Sequence, residues 1–570
     1  MSILSVDKEG AGPLFTFTSA DPSALLKAGV TYYQSSASDG FAILGPGSSV
    51  MTPHLTVAGS IIGEYGGIRD SGVGTLTVTV LPTGLIAAPR AIQVYGHLTL
   101  DNAGYIKGGI ESNNNAGDNR LINTGTISGD LKFIGSNDRV INTGTIIGNV
   151  DLGSGTNYLD THLGTVTGTI SGASGYNTYV IAGTETIYDS FGYEFIQSYG
   201  NYKLTGALDS LALLGDATVG TGNYIANTLY GNDNGNTLFG GGGNDTLYGG
   251  TGSDNLNGGE DNDYIDSGSS GSDTLSGGNG NDLIVAKGDA ALIAGGAGND
   301  RVFVDGTGAY TIMGGSGLDW AYFRANDVGL VANLATQTVS GGYADDDRIY
   351  GIENLGGSQR ADAITGSVGA NALEGADGED TLAGGGGNDT LTGGTGADRL
   401  DGGDGIDTAD YTNAFGAVSA SLTANRGLAG EALNDAYVGI EQFRGSGFND
   451  TLVGGTANDG LFGGYGNDSL NGASGNDTLE GGQGNDTLVG GSGADVFAYS
   501  GNSSDFGYDT ITVFTNGQDK ISFTASNIAS FSDIIASQDG ADTVIDFLVG
   551  SIRIQNFQAT NIDVTDFIFG

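Results

Sequence analysis

A nine-residue phrase, Gly-Gly-x-Gly-x-Asp-x-Leu-x, recurs along this chain and constrains its fold more than any other feature. Two clean copies run back to back over 240–257, reading GGGGNDTLY and GGTGSDNLN. After Asp245 and Asp254 the aspartate returns, less regularly, at Asp263, Asp273, Asp282, Asp300 and Asp319. It restarts at Asp362, Asp380, Asp389, Asp398 and Asp407, and again at Asp450, Asp459, Asp468, Asp477, Asp486 and Asp495. The leucine and its two neighbours are expected to form a short strand, leucine inward and neighbours outward. The glycines make the turn, because glycine tolerates positive φ and lets backbones approach closely. Stacked coils of this kind form a parallel β-helix. The competing reading is a flexible glycine-rich linker, but a linker has no reason to keep leucine two residues after aspartate through so many copies.

The aspartate ends the turn and offers a hard oxygen, and the turn carbonyls offer more. Calcium takes about 6–8 oxygen ligands in flexible geometry. One turn cannot supply that many, so each ion is expected between successive turns on one side of the roll, and an isolated repeat is not expected to bind. The charge balance agrees. The 570 residues hold 19 Lys plus Arg against 66 Asp plus Glu, a net charge of −47. Such imbalance ordinarily marks disorder, yet here many acids and many of the 107 glycines are set by the repeat. Self-repulsion opposes compaction until cations bind, and binding to the folded state alone then drives folding. The same charge argues against direct binding to nucleic acid or to an anionic membrane.

These repeats resemble those of the RTX family of secreted proteins over roughly 228–500. The resemblance implies parallel β-rolls holding multiple Ca2+ ions, with the eighteen aspartates from Asp245 to Asp495 named above as metal ligands. Some copies depart from the pattern. Asn236 and Asn371 replace Asp, Ala286–Ala294 keeps only Gly288, and Gly460 follows Asp459; the Asn turns and the Ala286–Ala294 turn are expected to bind weakly or not at all. Cysteine is absent, so no disulfide assists folding. MSILSVDKEGAGPLFTF lacks the apolar run of a signal peptide, and no stretch reaches the ~20 apolar residues of a transmembrane helix. The strand-rich C-terminus ends Asp566-Phe567-Ile568-Phe569 and resembles the uncleaved export signal of RTX proteins that use type I secretion. That implies export of an unfolded chain that folds outside the cell. A β-rich cap on the roll is compatible with the same residues.

The fold expected is all-β: an N-terminal β-solenoid followed by calcium-binding parallel β-rolls. In the N-terminal part, Gly59, Gly84, Gly104, Gly125, Gly144 and Gly164 each open a Gly-x-apolar step about 20 residues apart. Two copies read Asn123-Thr-Gly-Thr-Ile127 and Asn142-Thr-Gly-Thr-Ile146, and a stacked asparagine ladder at the corner is expected; a β-sandwich is the alternative. The segments are 1–45, a cap or assembly arm with a helix candidate at Pro22–Lys27; 46–190, the solenoid; and 191–227, a lead-in. Roll blocks at 228–322, 357–410 and 445–498 are separated by inserts at 323–356 and 411–444, and 499–570 closes the chain. Insert plus block is duplicated: Glu353 and Glu441, or Leu334 and Leu422, lie 88 positions apart.

Chemistry-bearing motifs are few. His54, His97 and His162 are the only histidines, and neither His-Glu-x-x-His nor Gly-x-Ser-x-Gly occurs. Glu185, Asp189 and Glu194 are loosely spaced and read as no cluster, and the matched Glu353 and Glu441 read as structural. No catalytic residue and no cofactor besides calcium is expected. The function expected is an extracellular or cell-surface structural protein that self-assembles as a homo-oligomer or lattice, in resemblance to RTX-type surface-layer proteins. The alternatives are an adhesin gripping a cell-surface glycan or lipopolysaccharide through its N-terminal solenoid, and a polysaccharide-modifying enzyme.

Overall fold

The computed structural model describes residues 54–71, 74–113, 117–189, 191–500, 506–524, 528, 530–547 and 550–570, with the backbone of short strands before residue 54. The chain divides into two compact units, Met1–Asn279 and Gly280–Gly570. Both are all-β solenoids whose only helical segments among the described residues are single 3-10 turns.

In the first unit the coil starts with three strands per turn. Arg120–Asn123, Thr126–Ser128 and Leu131–Phe133 form one coil, and Arg139–Asn142, Thr145–Ile147 and Val150–Asp151 the next. Pairing is parallel and in register, Leu121 on Val140, Ile127 on Ile146 and Leu131 on Val150. These side chains are buried because the pleat turns alternate residues inward. Asn102 donates its side-chain N–H to Asn123 Oδ1 at 2.7 Å, Asn123 donates to Asn142 at 2.7 Å, and Asn142 to the Thr161 hydroxyl at 3.0 Å. The expected asparagine ladder is therefore present.

Between Thr186–Ile187 and Tyr202–Lys203 the coil flattens to two strands, while the sheet holding Tyr193–Ser198 continues unbroken. From there Leu229, Leu247 and Ile265 stack on one side, and Leu238, Leu256 and Leu275 on the other. Pro22–Lys27 does not hold the expected helix. Its residues Ser23–Leu26 are a strand paired with His54–Val57, because stacking on a preformed sheet edge outweighs local helix propensity. Elsewhere in the assigned N-terminal arm, Ser2–Leu4, Lys8–Gly10, Thr31–Gln34 and Ile43–Leu44 are strands that pair in parallel, and its remaining residues lie outside the described ones.

The second unit is a two-sided roll that runs through both inserts. Leu355 sits between Ala321 and Leu373, and Phe443 between Ala409 and Leu461. Each insert lies within one sheet of the roll: Val331–Asn333 pairs antiparallel with Thr338–Ser340 and parallel with Ala363–Thr365, and Ser419–Ser421 antiparallel with Arg426–Ala429 and parallel with Thr451–Val453. The degenerate turn near Gly288 still stacks, with Ile293 on Ile312. Beyond residue 499 the roll is closed by an antiparallel meander, Ile535–Asp539, Asp542–Phe547 and Gly550–Ile554. A cluster of rings packs there, with Phe523 5.5 Å from Tyr499 and 5.3 Å from Phe547.

Each inward leucine is fully buried, and truncating one removes about 2–5 kcal/mol. Leu391→Ala is therefore expected to lower the denaturant midpoint of the calcium-loaded protein clearly. Thr392→Ala, one residue along and half-exposed, is expected to leave it nearly unchanged in the same titration.

Candidate metal centre

Each nonapeptide aspartate occupies the same place: the end of a turn, two residues before an inward apolar residue that is most often leucine, in a column parallel to the roll. Its backbone N–H donates to Oδ1 of the aspartate one coil on. In the first unit Asn227 donates to Asp245 at 2.7 Å and Asp245 to Asp263 at 2.7 Å, while Asn236 donates to Asp254 at 2.6 Å and Asp254 to Asp273 at 2.9 Å. In the second unit Asp282 donates to Asp300, Asp300 to Asp319, and Asp319 to Glu353. Asp362, Asp380, Asp398 and Asp435 form another run, and Asn371, Asp389, Asp407 and Glu441 a third. Asp450, Asp468, Asp486 and Asp509 follow on one side, and Asp459, Asp477, Asp495 and Asp519 on the other. The predicted aspartates are thus brought into columns, one per turn.

The second carboxylate oxygen is what marks these turns. At Asp245, Asp254, Asp300, Asp319, Asp380, Asp389, Asp398, Asp407, Asp468, Asp477, Asp486 and Asp495, Oδ2 is buried with no hydrogen-bond donor. An ionised, half-satisfied buried carboxylate costs several kcal/mol. The glycines preserve this arrangement. A β-carbon on Gly249 would lie 2.5 Å from Asp254 Oδ2, and Gly250 and Gly252 have φ of 106° and 107°, a region that disfavours any side chain.

Hard, anionic, donor-starved oxygens beside turn carbonyls fit a calcium ion. Among the described residues no three acidic or histidine side chains converge as a ready-made metal cage. A cation at a turn would therefore draw on carbonyls and on adjacent coils, which a single repeat cannot supply. Burial also raises the carboxyls: Asp245, Asp380 and Asp468 to about 7, and Asp254, Asp300, Asp319, Asp389, Asp477 and Asp486 to about 6, with the neighbouring N–H partly opposing the rise.

The opening turns of each block are built differently. Asp362 Oδ2 accepts from the Ser358 N–H at 2.6 Å, Asp450 Oδ2 from Ser446 at 2.5 Å, and Asp459 Oδ2 from Gly455 at 2.6 Å. Asn227, Asn236 and Asn371 accept in the same way from Asn223, Asn232 and Ser367. In each case the side chain curls back on its own turn and satisfies the oxygen that is starved elsewhere. Asp362, Asp450 and Asp459 share the sequence phrase of the other aspartates but are set apart by this closure, and two of the three have a serine in place of the second glycine.

Other members of the columns carry no glycine phrase. Asp347, Asp435, Asp509 and Asp519 are buried and take the next coil's place. Their signal is only Asp-x-apolar, as in Asp347-Arg-Ile and Asp435-Ala-Tyr, matched across the duplication. Glu353 and Glu441 both accept at 3.0 Å from the column residues Asp319 and Asp407. Asp189 and Glu194, read as unclustered, are brought together with Tyr179 and Asn177. The Asp189 carboxylate accepts from the Tyr179 hydroxyl at 2.9 Å and from Asn177 at 3.1 Å. Burial and the adjoining Asp209 and Asp189 carboxylates push Glu194 up. Among the histidines, His162 pairs with Asp160 at 2.5 Å and stacks on Tyr199.

The columns define a calcium-binding β-roll. The family model described as the RTX calcium-binding nonapeptide repeat matches residues 230–265, 267–302, 356–391, 374–409, 444–479 and 462–497. In these segments the chain belongs to the RTX repeat family, and the repeats imply calcium binding. No curated protein matches the chain. Among solved structures it is similar to the AlgE6R3 subunit of the Azotobacter vinelandii mannuronan C5-epimerase, at 29% identity over 22% of this chain and 79% of that one, TM-score 0.19. It is also similar to the extracellular lipase LipA from Serratia marcescens, at 22% identity over 38% of this chain and 40% of that one, TM-score 0.17. At these scores neither carries weight for this chain's architecture or activity.

Two outcomes are expected. Asp389→Asn should weaken calcium-induced folding, read by circular dichroism against calcium concentration, several-fold more than Asp362→Asn, whose carboxylate is already satisfied. The second concerns pH. These carboxyls are raised in the folded state above the ~3.9 of an unfolded aspartate. Their contribution to the metal-free fold is therefore full below about pH 4 and lost as pH rises through 6–7. The chelated protein should be more ordered at pH 5 than at pH 7.5, and adding calcium at pH 6.5 should release protons into a weakly buffered solution.

Proposed function

We propose that this chain is an exported, calcium-dependent structural protein that assembles on a cell surface or in extracellular matrix. The observation that carries this reading is the buried column of donor-starved carboxylate oxygens. Such a column disfavours the compact roll where calcium is scarce and favours it at the millimolar levels to which extracellular modules respond. The chain would then leave the cell extended, through a type I machinery, and close outside it.

Assembly is supported by the closing meander. Its strand Ile535–Asp539 is exposed throughout, with Ile535 68% exposed, and its residue-by-residue pairing among the described residues is with the one strand Asp542–Phe547. An open strand edge of this kind can add to a second copy. No helix of the described residues is long and apolar enough to cross a membrane.

Electron microscopy of the purified chain tests the reading. Sheets or filaments should form in millimolar calcium and disperse on chelation. A folded monomer at all concentrations in calcium would refute self-assembly and leave a calcium-dependent binding protein.

A further inference from the structure

The second unit carries an outward feature that the calcium columns do not use. Pairing places Tyr322 beside Gly356, Gly356 beside Glu374, and Glu374 beside Thr392. Further along, Asp410 lies beside Arg444, Arg444 beside Phe462, and Phe462 beside Glu480. These residues lie on one outward face and line three cavities. One of about 290 Å³ is lined by Tyr322, Arg324, Ser358, Gln359 and Glu374. A second of about 390 Å³ shares Arg324 and Gln359 and adds Asp377, Asp410, Phe415 and Glu431. The third, about 440 Å³, is lined by Arg444, Phe462, Tyr465, Glu480 and Gln483.

Arg324 anchors the first two cavities. Its guanidinium lies 4.6 Å from the Tyr322 ring and 5.0 Å from that of Phe303. Tyr322 is itself stacked at 5.1 Å on Trp320, the only tryptophan, and at 4.7 Å on Phe303. In a chain of net charge −47, this exposed cation is held over aromatic rings and forms no ion pair among the described residues. Phe415, on the rim, is 88% exposed.

The duplication repeats the chemistry with different residues. Gly356, Glu374, Asp377 and Thr392 correspond to Arg444, Phe462, Tyr465 and Glu480. Each copy thus has one guanidinium, at least one carboxylate and an aromatic ring on the same face. The column residues Glu353 and Glu441, by contrast, are kept identical.

We propose that this outward groove binds an extended, uncharged polysaccharide. Guanidinium donors alternating with carboxylate and amide acceptors suit hydroxyl groups, which both donate and accept. Exposed rings suit the C–H face of a pyranose. A line of rungs about 4.8 Å apart suits a linear polymer crossing the strands. The carboxylates around Arg324 oppose a polyuronate or a nucleic acid. The site goes beyond the assembly reading and does not depend on it.

Affinity electrophoresis of the calcium-loaded full chain tests the proposal, in gels containing hydroxyethylcellulose, galactomannan or dextran, and in parallel alginate gels. Retardation by at least one uncharged polymer is expected. The double variant Arg324→Ala/Phe415→Ala should weaken it about tenfold, and adding Arg444→Ala/Tyr465→Ala should abolish it. Calcium-induced folding and the particles seen by microscopy should be unchanged, which separates loss of the groove from loss of the fold or of assembly. No retardation by any uncharged polymer, retardation by alginate alone, or retardation indifferent to these variants would overturn it.

Discussion

The structure depends on one recurring interaction: a backbone N–H that donates to the carboxylate one coil further along, leaving that carboxylate's other oxygen buried and without a donor. The bond sets the register between coils, since it can form only when successive turns lie directly over one another. The remaining oxygen sets the requirement for a cation. Register and metal dependence are therefore two consequences of one side chain, and the glycine phrase exists to let it sit where it does.

The first unit shows the same column with mostly amide rungs, Asp138 being a single carboxylate among them whose Oδ2 is also buried without a donor. Asn119 donates to Asp138, Asp138 to Asn157, and Asn157 to Asn177. Pairing then carries the same column through Glu194, Asp209 and Asn227 to Asp245. Within the first unit, the N-terminal solenoid and the roll turns that follow it are one ladder whose rungs change from amide to carboxylate. Amides satisfy one another directly, donor to acceptor, and need no ion. Acids cannot, and the need for calcium begins where they take over. The self-closed turns at Asn236, Asp362, Asn371 and Asp450 sit where a block begins. There they give the next, cation-dependent turn a finished edge to stack on.

Much of this was legible in the sequence. The phase of the nonapeptide gives the roll, its inward leucines and the place of its aspartates, and the two Asn-Thr-Gly-Thr-Ile copies give the amide ladder. What escaped was whatever lacks the glycine phrase or depends on a partner distant in sequence. Asp347 and Asp435 reach the column from inserts, and their immediate neighbours look like any strand. Glu194 reads as an isolated acid until stacking brings Asp189 and Asp209 beside it. Ser358 and Ser446 look like imperfect glycines and turn out to supply the donors that close their turns. The outward groove was illegible for the same reason, since Tyr322 and Glu480 share a face only through a chain of strand pairings.

Hydrogen exchange of the full chain, read by mass spectrometry in chelator and in millimolar calcium, tests the central claim most directly. Residues 98–181, held mainly by amides, should be protected in both conditions. Residues 240–266 and 372–497, held by carboxylates, should be protected only with calcium. Equal protection of those segments in chelator would contradict the account, because the buried oxygens would then need no cation.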